Sequence, residues 1–290
     1  MNKKVIASID VFQPNEDLLK YGVYAAKQLN AQLCLYSAQY RSVLIPKDIL
    51  HNTKLARQEA DRSEKIKKAR NKLVQFCNSI SDEWHYTTSK LHTEKVPEWK
   101  GEKIFHLIDE VKDQDPSLTL ITVKSDHNWL NELLGTPETK LAEETNSPVF
   151  LLPEDASFKN INKINYLLEK DKSIEVIVNE VKFLKGLISG LPKGRGVNII
   201  YYFGENPKAA EESIRLTKKI LLQEAGSDYL SFQNLAKEAI EEAIEKNIKT
   251  SSSADLFAFS NRDKSIVERL TSNDNTKRLI LKAQIPVLVF

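Results

Sequence analysis

The chain has 290 residues, of which 41% are hydrophobic and 28% charged, and it carries a net charge of +2 at neutral pH. A chain of this length buries roughly three quarters of its unfolded surface and needs no disulfide or metal staple to hold a core. The small net charge and the lack of a dense basic block exclude a nucleic-acid binder that works by an electrostatic footprint, and no apolar run has the length of a membrane span.

The first half alternates strand and helix patterns. Met1–Lys4 leads straight into the apolar run Val5–Ile9, which reads as a strand buried on both faces and not as the core of a secretory leader. Asn15–Leu29 carries apolar residues at helical spacing, with Asn15 as its N-cap. Leu33–Tyr40 is a second strand, and a long helix follows over Thr53–Ser79. Within it, Ser63-Glu64-Lys65-Ile66-Lys67-Lys68-Ala69-Arg70 reads as a solvated helix face. Trp84–His92 alternates as a third strand, Glu102–Val111 is helical, Leu118–Val123 is the fourth strand, Pro137–Glu144 a short helix and Val149–Leu152 the last strand.

The second half runs in the same order. Strands are expected over Ile164–Leu168, Gly196–Phe203, Tyr229–Phe232, Leu256–Phe259 and Val287–Phe290, and helices over Ser173–Leu191, Asn206–Leu222 and Leu235–Lys246. The segment Ser147-Pro148-Val149-Phe150 recurs as Ile285-Pro286-Val287-Leu288, an offset of 138 residues that also lays Leu118 on Leu256 and Leu141 on Leu279. An offset near half the chain length indicates two copies of one domain, expected over 1–153 and 160–290 with a linker near Pro153–Asn160. Strands alternating with helices of this length make each copy an α/β domain with a doubly wound parallel sheet.

In such a sheet, ligands bind at the carboxyl ends of the strands, where the strand order reverses. In the first half these places hold Asp10, the stretch Thr122–Asn128, and Gly135-Thr136. Gly135 lets a backbone approach a phosphate, and Thr136 offers a hydroxyl at a helix N-terminus. Thr136 before Pro137 also reads, and on residues alone reads first, as an ordinary helix start with no ligand.

Other chemistry is thin. The five histidines, His51, His85, His92, His106 and His127, show no helical zinc spacing, and no metal site is expected. No nucleophile elbow and no Cys–His pair is readable, so no catalytic residue is assigned. Lys193-Gly194-Arg195-Gly196 precedes a strand and does not open a helix, which makes it a turn before a phosphate loop. Trp84 and Trp99 read as packing residues and Trp129 as a contact residue near the cleft. Cys34 and Cys77 fit reduced structural thiols, and the expected location is the cytoplasm.

The strand-one acid Asp10, the sequence Leu133-Leu134-Gly135-Thr136 opening a short helix, and the terminal Pro-Val strands together resemble the universal stress protein family. The resemblance covers both halves, so the chain is similar to a fused tandem pair with that family's adenine-nucleotide-hydrolase-like α/β fold. ATP-binding members carry a glycine, two residues, a second glycine, nine residues, then glycine and Ser or Thr, with the strand-one acid near the adenosine and strand-two backbone at the base. The implied cofactor-binding residues here are Asp10, Ala38, Thr122, Ser125, Gly135 and Thr136. Thr122 and Ser125 stand where the first two glycines belong, and each adds a Cβ at a place of close approach. The resemblance therefore implies at most a weak ATP or AMP site in the first half.

In the second half the corresponding positions are Glu169, Ser260, Asp263, Asn273 and Asp274. Asp274 would place protein charge in the anion site, and like charges about 4 Å apart cost roughly 1 kcal/mol in water and about 4 kcal/mol at an effective dielectric near 20. This half is expected not to bind a triphosphate. The chain as a whole is expected to be a non-enzymatic stress-response or regulatory binding protein with a protein partner of unknown identity. Its two last strands are expected to pair within one chain as a pseudo-dimer, a unit from which a higher homo-oligomer could be built.

Overall fold

The computed structural model describes residues 3–41, 53–83, 89–97, 103–123, 141, 144–168, 173–188, 195–203, 207–226, 228–236, 254–259 and 285–290. They form two compact units, Met1–Thr122 with Glu144–Ser147, and Val123–Glu143 with Pro148–Phe290.

In the first unit, β1 (Lys4–Ser8), β2 (Gln32–Arg41), β3 (Ser89–Pro97) and β4 (Leu118–Val123) alternate with α1 (Glu16–Gln28), α2 (Thr53–Glu83) and α3 (Lys103–Gln114). Val5, Ile6 and Ala7 of β1 are buried, as a strand covered on both faces requires. The helix ends follow local chemistry. Asn15 caps α1, its Oδ1 accepting from Leu18 N at 2.8 Å. The chain leaves α1 through Asn30 at φ 50°, while Ala31 N donates to Ala26 O and Asn30 N to Lys27 O. This double closure uses an asparagine where glycine is commoner. Asp115, at φ 42°, ends α3 with a single bond from its N–H to Val111 O.

The strand order is β3-β2-β1-β4. The pairs are parallel, with Ser8 opposite Tyr36 and Ala7 opposite Leu120. From β1 the chain steps to β2 and β3 on one side, then crosses to β4 on the other. The switch point lies between β1 and β4.

The second unit contains β5 (Val149–Pro153), β6 (Lys163–Leu168), β7 (Gly196–Phe203), β8 (Leu230–Ala236), β9 (Leu256–Phe259) and β10 (Val287–Val289), with helices α4 (Ile174–Leu187) and α5 (Pro207–Ala225). Its order, read from the far edge, is β8-β7-β6-β9-β10, the same winding as in the first unit, with β5 added beside β10. All pairs are parallel except β5 with β10, which run antiparallel with Val287 opposite Leu151 and Val289 opposite Val149. That pairing groups β5 with the second unit, although the sequence repeat counts it as the end of the first copy. The core strands are almost wholly apolar: every residue of β5 and β9 is buried.

Several boundaries differ from the sequence reading. The third strand, described over Ser89–Pro97, continues past the expected end at His92 because Leu33 through Arg41 of β2 find parallel partners as far as Pro97, while residues 84–88 of the expected strand lie outside the described residues. Leu235 and Ala236 belong to β8, not to the start of a helix, because they pair with Tyr202 and Phe203. The turn after β5 also begins later than expected, since Pro153 is the last residue of that strand.

Candidate functional site

The strand-one acid lies at the carboxyl edge of the first unit. Ile9 N donates to Tyr36 O at 2.9 Å, which carries the β1–β2 ladder one residue past the strand and brings Asp10 out beside the end of β2. The register of Ser8 on Tyr36, extended by two residues, sets Asp10 level with Ala38. The register of Ala7 on Leu120, extended in the same way, sets Ile9 level with Thr122. Asp10, the Ala38 backbone and Thr122 therefore share one edge at the switch point. Ser125, Gly135 and Thr136 lie outside the described residues, as do Glu169, Ser260, Asp263, Asn273 and Asp274 of the second half. His127 and Trp129 lie outside them too, while positions 141 and 144 of the expected short helix are helical.

Asp10 is exposed, and one carboxylate oxygen accepts from Phe12 N at 2.8 Å. That Asx-turn fixes the loop between β1 and α1 and holds the carboxylate at the edge. Around it the edge offers hydroxyls: Ser8, Ser37, which is buried, and Thr122. A carboxylate with hydroxyls and strand-end backbone groups can hold a polar ligand by hydrogen bonds. It contains no nucleophile paired with a base among the described residues.

The thiols play no part in this edge chemistry. Neither cysteine is in a disulfide, both are buried, and burial pushes the Cys77 thiol up to about 12, so it stays protonated at neutral pH. Gly196 of the basic turn has a packing role: a Cβ there would stand 2.3 Å from the Tyr229 carbonyl oxygen. Only glycine lets β7 start this close to that backbone. Among the described residues, no group of three or more His, Cys, Asp and Glu side chains is placed to hold a metal. Among them also, no helix is long and apolar enough to cross a membrane.

One feature beside Asp10 is not visible in the sequence. The loop continues into Val11 and Phe12, and these face the middle of α2 across a cleft of about 450 Å³. Phe12 is 50% exposed. The only sequence signal was an apolar pair between a strand end and an N-cap, which spacing rules do not single out.

No protein-family model matches the sequence, and no curated protein matches it. Solved structures do. The chain is similar to a universal stress protein from Archaeoglobus fulgidus DSM 4304, at 14% identity and a TM-score of 0.63, over 99% of this chain and 95% of that one. It is similar to a functionally unknown protein from Pseudomonas aeruginosa PAO1, at 13% identity and a TM-score of 0.56, over 100% and 92%. It is also similar to the cytoplasmic domain of a prokaryotic cation chloride cotransporter, at 12% identity and a TM-score of 0.52, over 100% and 95%. The chain has the universal stress protein fold along its whole length.

Proposed function

We propose that the chain is a tandem universal stress protein that acts in a stress response by binding, without catalysis. The observation that carries this reading is the fold likeness to the Archaeoglobus fulgidus universal stress protein over nearly all of both chains. The repeated winding, 3-2-1-4 in one unit and 3-2-1-4-5 in the other, supports descent of both halves from one domain. The antiparallel pairing of β5 with β10 supports an internal pseudo-dimer, in which one copy's last strand is covered by the other's. A fold shared with the cytoplasmic domain of a transporter fits a regulatory module that works through a partner.

A nucleotide-switch reading has one specific observation in its favour. By extension of the strand register, Asp10, Ala38 and Thr122 share the carboxyl edge of neighbouring strands, where this fold class receives its ligands. In that reading ATP or AMP binds to the first half of the sequence alone, with Ser125, Gly135 and Thr136 as further expected contacts, and its occupancy alters a partner surface.

The non-catalytic reading is tested by following phosphate release from ATP and magnesium with the full chain. We expect no release above buffer. Steady release that disappears in Asp10→Ala would overturn the reading and establish an enzyme.

A further inference from the structure

We propose that the cleft between the start of α1 and the middle of α2 binds an anionic amphiphile, a long-chain carboxylate with its tail on the cleft floor and its head among three lysines. The floor is apolar: Val11, Leu19 and Leu73 are each at most 2% exposed, and Phe76 joins them. The half-exposed Phe12 forms a wall. The rim is basic. Lys65, Lys68 and Lys72 lie three and four residues apart along α2, which puts their ammonium groups on one face.

Lys68 is engaged with Glu64 at 2.7 Å, whereas no ion pair involves Lys65 or Lys72 among the described residues. Glu16, in the first turn of α1, is the one acid in the lining. The cleft volume falls in the range of small-ligand sites, about 300–1,000 Å³.

The lining selects among anions. Among the described residues it contains no Ser, Thr, Tyr, Asn, Gln or His side chain, so a base or sugar would lose its water with only the lysines and Glu16 to replace it. An alkyl tail loses nothing there, and a terminal carboxylate meets the lysines. Lys65 and Lys68 by themselves read as part of a solvated helix face. What makes them a site is the floor that the β1–α1 loop brings against them from more than 50 residues away in the chain. The proposal does not depend on the reading of the Asp10 edge.

The test is calorimetric titration of the full chain with dodecanoate at low ionic strength, with shorter carboxylates and dodecylammonium as comparisons. We expect one dodecanoate per chain, with affinity falling roughly fourfold per methylene removed. Dodecylammonium should bind at least tenfold more weakly. The double variant Lys65→Glu/Lys72→Glu should lose at least tenfold for dodecanoate while its melting temperature holds, and Glu16→Gln should gain affinity. As a second handle, Ala69→Trp should fill the cleft and block binding. No binding by the wild type, equal binding of the carboxylate and the ammonium, or full affinity in the double variant would each overturn the proposal. Displacement of dodecanoate by ATP would assign the cleft to the nucleotide and overturn it as well.

Discussion

The first helix of each unit opens in the same way and is used differently. In the first unit Asn15 caps α1 at 2.8 Å, and the helix buries small and apolar residues, among them Gly22, Ala25 and Ala26. In the second unit Ser173 caps α4 at 3.4 Å, and the helix buries Glu180, whose carboxylate accepts from the buried Tyr166 hydroxyl. The same winding thus carries an exposed acid at the strand edge in one unit and a buried polar contact in the core of the other. Phe290 packs edge-to-face on Tyr166 at 6.2 Å and on Phe183 at 5.6 Å, so the last residue of the chain closes over that contact.

Core substitutions probe the comparison most strongly. Phe257 and Leu120 are both 0% exposed on corresponding fourth strands. Phe257→Ala should cost about 3–5 kcal/mol and Leu120→Ala about 2–5 kcal/mol in chemical denaturation. If the two units unfold as separate cooperative bodies, each variant will move only one of two transitions. A single transition shifted by both would show one folding unit.

The Tyr166–Glu180 contact comes next. Glu180→Leu leaves the Tyr166 hydroxyl buried without its acceptor, and Tyr166→Phe leaves the carboxylate without its donor. Each should cost about 1–3 kcal/mol. A double-mutant cycle that shows strict additivity would remove the contact from the account.

The caps give the smallest effect. Asn15→Ala should cost about 1 kcal/mol, and Ser173→Ala less, since its hydroxyl bond is the longer of the two. Equal losses in thermal unfolding would mean that cap geometry does not distinguish the units.

Much of this architecture was legible in the residues. Val5–Ile9, Leu118–Val123 and Leu256–Phe259 are continuous apolar runs, and burial on both faces of a parallel sheet leaves few other readings for them. The third strand was less legible because Thr93-Glu94-Lys95 is polar, as an edge strand tolerates, and only pairing with β2 reveals it. Leu235 and Ala236 favour helix by themselves, and ladder bonds to β7 override that preference. Asp10 announced itself by ending an apolar strand. The lysine-rimmed cleft did not, because it exists only where two segments distant in sequence come together.

The proposed reading is a duplicated fold with a nucleotide site in the first half of the sequence at most. Calorimetric titration of the full chain with ATP and magnesium tests it most directly. The stoichiometry should not exceed one per chain, and any heat should vanish in Asp10→Ala and in Gly135→Trp. Two equivalents per chain, or heat that survives both substitutions, would contradict it.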